Sequence, residues 1–331
     1  MNNVTRLVIL SLCAALILGS CTKKHHQPEE PLKAPLDFTA VSQDSGMKAV
    51  LEANSLANHH PDFGAWGIAR QEGNATPYIL WESNAMSQVV KSTDNTYVPV
   101  ADAYWLTGFA YNFIAVAPYT GGVSGVAVAH SVDTQTSKDA ITFTFDQGAK
   151  YTAGDYDFDL MGAAAATDAI TTKPTTQDLT FWHLLSKINI NVSFVDANGT
   201  AVSTGTVSQM RLCNVKSKAD YTLTFGGANN LSVACGSHTD DKTISLSGSS
   251  ATVHILPQSI TGFELYLDFT LDGAAFNDFK VNLNTTEHPT TYNWNEVYNW
   301  NIIIGPKADI SFSFTVLPWV GDPVGEEIPI I

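Results

Sequence analysis

Apolar side chains recur at every second position along much of this chain. Ile188, Ile190, Val192 and Phe194 alternate with Asn and Ser; Phe263, Leu265, Leu267, Phe269 and Leu271 repeat the pattern, as do Ile310, Phe312, Phe314 and Val316. Shorter runs stand at 141–145, 221–225 and 253–256. Such a period means a strand with one face buried and the other solvated. Turn signals separate the runs at Asp196-Ala197-Asn198-Gly199, Phe225-Gly226-Gly227 and Leu271-Asp272-Gly273. Many short strands at this spacing predict an all-β chain of sandwiches or barrels. Helical pattern is scarce: Met47–Leu56 reads as a short helix and Ala163–Ala166 as a turn. Asp155, Asp157 and Asp159 alternate as well, which predicts one strand face carrying all three carboxylates, solvated rather than metal-bound.

The N-terminus carries an address. Arg6 precedes an apolar run from Leu7 to Leu18, closed by Leu18-Gly19-Ser20-Cys21. This reads as a secretory signal over residues 1–20 ending in a lipobox, with Cys21 taking the lipid. Two or more acyl chains at Cys21 would hold the mature chain on the outer membrane, at roughly 0.8 kcal/mol per buried methylene. Residues 21–35, polar and broken by Pro28, Pro31 and Pro35, read as a tether. The remaining length suits two domains. The Pro/Thr stretch Thr171–Gln177 serves as their connector, which places one sandwich at 36–172 and a second at 178–331.

The formal net charge of −15 argues against nucleic acid as a partner. No Gly-x-Ser-x-Gly elbow, phosphate-binding Gly-rich loop or His-Glu-x-x-His motif occurs, so neither an enzyme nor a cofactor is expected. His25-His26 and His59-His60 lack a second ligand cluster nearby in sequence, and no metal site is assigned. His183, between apolar neighbours, reads as a structural histidine. Once the signal has gone and Cys21 carries lipid, Cys213 and Cys235 remain in an oxidising compartment. They form either a disulfide, if their strands are neighbours, or two small buried thiols. The seven tryptophans suit core packing, although an exposed row of them would suit stacking on sugars.

Several segments taken together resemble the fimbrillin family of Bacteroidetes, the lipoprotein precursors of type V pili. One is Asp159-Leu160-Met161-Gly162-Ala163 followed by Phe181-Trp182-His183-Leu184-Leu185-Ser186-Lys187-Ile188; another is Phe63-Gly64-Ala65-Trp66-Gly67 with Tyr104-Trp105 and Phe113-Ile114-Ala115-Val116-Ala117-Pro118. A third is Tyr292-Asn293-Trp294 through Tyr298-Asn299-Trp300, then Pro318-Trp319.

The resemblance implies two transthyretin-like antiparallel β-sandwiches in tandem and a structural pilus subunit that supports adhesion. Its partners would be other pilus subunits, the outer membrane through Cys21, and a host protein or glycan. In such pilins a protease removes an N-terminal strand and a neighbouring subunit's strand fills the groove left behind. Here that removable strand would carry Leu36, Phe38 and Ala40 in alternation. Family members often have Arg where this chain has Lys48, so processing is expected at Lys48 or at the next arginine, Arg70. The donor strand would be the C-terminal tail with Ile328, Ile330 and Ile331, which otherwise reads as a final edge strand or frayed end. The competing reading is a monomeric cell-surface lipoprotein that binds glycan or host protein.

Overall fold

Alternating patterns become strands, and the strands close around three apolar cores. The computed structural model describes residues 34–42, 62–74, 76–81, 86–92, 96–119, 123–129, 139–172, 176–226, 231–283 and 288–319. The described residues form one compact unit. The first sheet has eight strands: β2 (Phe38–Ser42), β3 (Asp62–Gln71), β4 (Tyr78–Ile79), β5 (Ser87–Lys91), β6 (Tyr97–Pro99), β8 (Phe109–Ala117), β11 (Met161–Ala166) and β12 (Gln177–His183). Its pairing runs β3-β5-β6-β2-β12-β11-β8 and returns to β3, so the sheet is closed on itself, with β4 added alongside β3. All these pairings are antiparallel except β2 with β12. β1 (Ala34–Pro35) pairs separately with β7 (Tyr104–Trp105).

A six-stranded sheet contains β9 (Val123–Ala129), β10 (Ala140–Asp146), β14 (Thr206–Phe225), β15 (Leu231–Leu246), β17 (Glu264–Leu271) and β18 (Ala274–Val281). β14 is its beam. At 20 residues it spans about 65 Å, pairing β17 over its first part, β10 over its last, and β15 along its other edge. A four-stranded sheet runs β16 (Ser250–Ile255), β13 (Ser186–Phe194), β19 (Glu296–Ile304) and β20 (Ile310–Pro318), with β13 and β19 parallel.

These sheets are layered. Inside the closed sheet lie Phe38, Phe63, Phe113, Ala115, Ala163 and Phe181. The intervening residues Trp66, Ile68, Ile114, Val116 and Ala164 point outward, against Phe143, Phe145, Tyr221 and Leu223 of β10 and β14. β3, β8 and β11 are therefore buried on both faces, and their sequences read as continuous runs instead of alternating ones. Farther along β14, Met210 and Leu212 join Leu265 and Leu267 to pack on Ile188, Ile190, Trp300 and Ile302 of the four-stranded sheet. Gly67 shows how tight the first sheet is. A Cβ there would stand 2.7 Å from Leu80 Cδ1 and 2.9 Å from Phe113 Cδ1.

Two sequence expectations are corrected here. Ala163–Ala166 belong to β11 instead of a turn: small side chains let a strand fit between two cores. Asp155, Asp157 and Asp159 do not share a strand face. They follow the short helix α1 (Gly148–Ala153) in a turn, where Asp155 pairs with Lys150 and Asp159 with His183. After the Pro/Thr stretch the chain first returns to the closed sheet as β12, and then enters the four-stranded sheet as β13.

Candidate functional site, a slot filled by the N-terminal strand

The N-terminal segment closes the first sheet. β2 lies between β6 and β12, parallel to β12 from Phe38 opposite Gln177 to Ser42 opposite Phe181. On its other side it meets β6 at one position, Phe38 opposite Tyr97. Leu36 N–H donates to Ala103 O at 2.9 Å, Gln177 N–H donates to Asp37 O at 2.9 Å, and Thr39 hydroxyl bonds Asp178. Period two does the rest: Leu36, Phe38 and Ala40 are all buried, with Ala34, in the core of the closed sheet. The Phe38 ring meets Phe63 edge-on at 5.9 Å and Phe113 at 5.2 Å. Burying a side chain of the size of Leu36 or Phe38 contributes about 1.5–3 kcal/mol.

The walls of this slot are aromatic. Phe63 contacts Tyr97 and Phe181, and Trp105 contacts Tyr111 and Phe113. Tyr97 Oη and Trp105 Nε1 are buried without a protein partner among the described residues. Burial pushes the Tyr97 hydroxyl up to about 12. Withdrawing the N-terminal strand would expose this apolar wall and leave the edges of β6 and β12 that face it unpaired.

Cys21, Lys48, Ile328, Ile330 and Ile331 lie outside the described residues. Arg70 does not sit where a protease finds it. It is buried in β3, opposite Ala110 of β8, and its guanidinium pairs with the fully buried Asp139. Asn112 donates to the same carboxylate at 2.8 Å, so the trio ties β3 and β8 to the segment entering β10. The cysteines are not brought together. Cys213 stands opposite Glu264 on β17 and Cys235 opposite Tyr221 on β14, eight residues or roughly 25 Å along that strand from Cys213. Both are free, half-buried thiols, because the register of their neighbouring strands holds them apart; of the two sequence readings, a disulfide or two small buried thiols, this favours unpaired thiols. Burial pushes the Cys235 thiol up to about 12, and His238 Nε2 lies 3.4 Å from its sulfur and 2.6 Å from Pro257 O.

Sequence reasoning did not foresee where Trp319 goes. Its ring stacks on His183 at 3.8 Å and meets His254 edge-on at 4.6 Å, with Lys187 Nζ 5.7 Å from its centroid. His183 Nδ1 lies 2.6 Å from Asp159 Oδ2, Leu184 N–H donates to Leu160 O, and Ser186 Oγ donates to Asn293 O. The Asp-Leu and His-x-x-Ser-Lys segments thus form one packed cluster with the last described residue. His183 is buried, as its flanks suggested. The Tyr-Asn-Trp segment has a similar explanation: Tyr292 stacks on Tyr298 at 3.6 Å and accepts a hydrogen bond from Trp300 Nε1 at 2.6 Å.

The sequence profile of the family described as fimbrillin-like matches residues 56–319. The chain belongs to the fimbrillin-like family. Solved structures that align with TM-scores above 0.5 share its fold. A fimbrial protein from Bacteroides vulgatus is 14% identical, with a TM-score of 0.53 over 86% of this chain and 100% of that one. A candidate cell adhesion protein from Bacteroides ovatus is 14% identical, with a TM-score of 0.52 over 88% and 99%. A tip fimbrial protein from Porphyromonas gingivalis aligns over 87% of this chain and 100% of its own at 10% identity and a TM-score of 0.46. No curated protein matches the sequence. Membership places the chain among fimbrial proteins, a family that implies a cell-surface location. Among the described residues no group of three or more His, Cys, Asp or Glu could hold a metal ion.

Proposed function

We propose that this fimbrillin-like chain is a structural pilus subunit that assembles by strand exchange. The observation that carries the reading is the occupant of the slot between β6 and β12: an N-terminal strand with Leu36, Phe38 and Ala40 buried and a parallel ladder to β12. Main-chain bonds supply the continuity of such an exchange and alternate side chains supply its register. Only one residue of β6 pairs with β2, so that side of the slot resists withdrawal weakly. Residues 43–61 connect β2 to β3 and contain Lys48, where cleavage would free the strand. A neighbouring subunit's tail, with Ile328, Ile330 and Ile331, would take its place, and a head-to-tail contact of this kind builds an open filament. On this reading the signal at 1–20 is removed, Cys21 carries lipid, and residues 21–35 tether a tandem of transthyretin-like sandwiches. An anchor subunit would keep its lipid and strand; a stalk or tip subunit would lose both.

The test is a chain with a site-specific protease sequence placed at Lys48. Cleavage is expected to give a ladder of oligomers on an unheated denaturing gel, and deleting residues 320–331 is expected to abolish it. A ladder that persists without the tail would exclude the tail as donor. Cleavage without any ladder would remove the self-assembling reading.

A further inference from the structure

Four of the seven tryptophans, Trp66, Trp105, Trp300 and Trp319, are buried. Trp81 is not. It follows β4, rests one side against the core of the closed sheet, and forms part of the wall of a cleft of about 520 Å3. That volume lies within the ~300–1,000 Å3 usual for small-molecule sites. The indole is oriented, because its Nε1–H donates to Ala101 O at 3.3 Å. Tyr119, which follows β8, supplies a second ring.

Gly64 of β3 makes room for that second ring. A Cβ at Gly64 would stand 3.0 Å from Tyr119 Cδ2 and 3.1 Å from Met86 Cε, so the two side chains settle onto a bare stretch of β3. Two polar groups also face the cleft. Gln88 is fixed by donation from its amide nitrogen to Asp62 Oδ2 at 2.7 Å. Asp102 is an exposed carboxylate. Val100, 64% exposed, adds an apolar rim.

Oriented aromatic rings, an anchored amide and a carboxylate match the mixed chemistry of a sugar. Its C–H face packs on indole and phenol rings, while its hydroxyls donate to carboxylate and amide oxygens. A phosphate or sulfate would meet Asp102 in a molecule of net charge −15. A purely apolar segment would bury the Asp102 carboxylate without a partner for it. The comparable cleft beside Arg70 offers less, since that guanidinium is already committed to Asp139.

We propose that the cleft between Trp81 and Tyr119 binds a neutral saccharide unit, with Trp81 as stacking platform and Asp102 and Gln88 as hydroxyl acceptors. The site is separate from the slot of β2 and stands whether or not the chain polymerises.

Saturation-transfer NMR on the full chain would use glucose, galactose, mannose, fucose, N-acetylglucosamine and N-acetylgalactosamine with their disaccharides, and N-acetylneuraminic acid as an anionic comparison. At least one neutral sugar is expected to receive saturation, and its titration is expected to shift the Trp81 indole N–H resonance. Trp81→Ala should weaken that binding tenfold or more and Trp81→Phe only a few fold. Asp102→Asn should weaken it moderately, and Trp182→Ala should leave it unchanged. The indole shift reads the site in the unaltered chain, so it decides the matter even if Trp81→Ala does not fold. The proposal is overturned if no neutral sugar receives saturation, if the sugar binds without moving the Trp81 resonance, or if the anionic sugar is preferred.

Discussion

Replacing Phe38 by alanine removes a ring that meets Phe63 and Phe113 edge-on at the centre of the closed sheet. Phe38→Ala is expected to cost about 3–5 kcal/mol, seen as a lower urea midpoint with an unchanged slope. Arg70→Ala leaves Asp139 buried without its cation and should cost a comparable ~3–5 kcal/mol, whereas Arg70→Met with Asp139→Leu should recover most of it. His254 and His288 act in one direction. Burial holds His254 below its ordinary 6.5, helped by Lys187 and His183 and opposed by Asp159; burial alone lowers His288. The folded state favours the neutral rings, so the unfolded chain takes up protons first as pH falls. Their contribution is complete above about pH 6.5 and shrinks below it. Urea midpoints should therefore be level from pH 8 to about 7 and decline towards pH 5, with a shallower decline in His288→Gln. Leu36, Phe38 and Ala40 came into view through the family resemblance, and their alternation fits the face they bury. The place of Trp319 was not legible, because stacking on a histidine far along the chain leaves no periodic trace.

Elements with one solvated face were the readable ones. β13, β17 and the half-buried β20 carry the alternation that predicted them. β11 was misread because burial on both faces erases the period, and four consecutive alanines offer none. The Asp155–Asp159 alternation failed for the opposite reason: period two arose within a turn, where no face exists. Free Cys213 and Cys235 show that strand identity does not fix register. At this scale the N-terminal segment is an insert. A chain beginning after Ser42 should expose the aromatic slot and associate or precipitate. A peptide copying residues 34–42 should return it to monomer, as read by analytical ultracentrifugation.

Across the whole molecule, the first sheet is a ring closed by one short strand, and β14 carries the load from that ring to the distal core. All-β class and many sheets followed from patterning alone. Ring closure did not, because β2 and β12 pair in parallel across a wide sequence gap. On the proposed function, strand supply is the variable on which assembly turns, since the ring is complete only while some strand occupies the slot. Limited trypsin digestion of the folded chain, lacking signal and lipid, tests this most directly, with N-terminal sequencing of the product and an unheated denaturing gel. A cut at Lys48, none at the buried Arg70, and a heat-sensitive ladder are the expected results. A clean monomer after the cut at Lys48 would contradict strand exchange between copies of this chain.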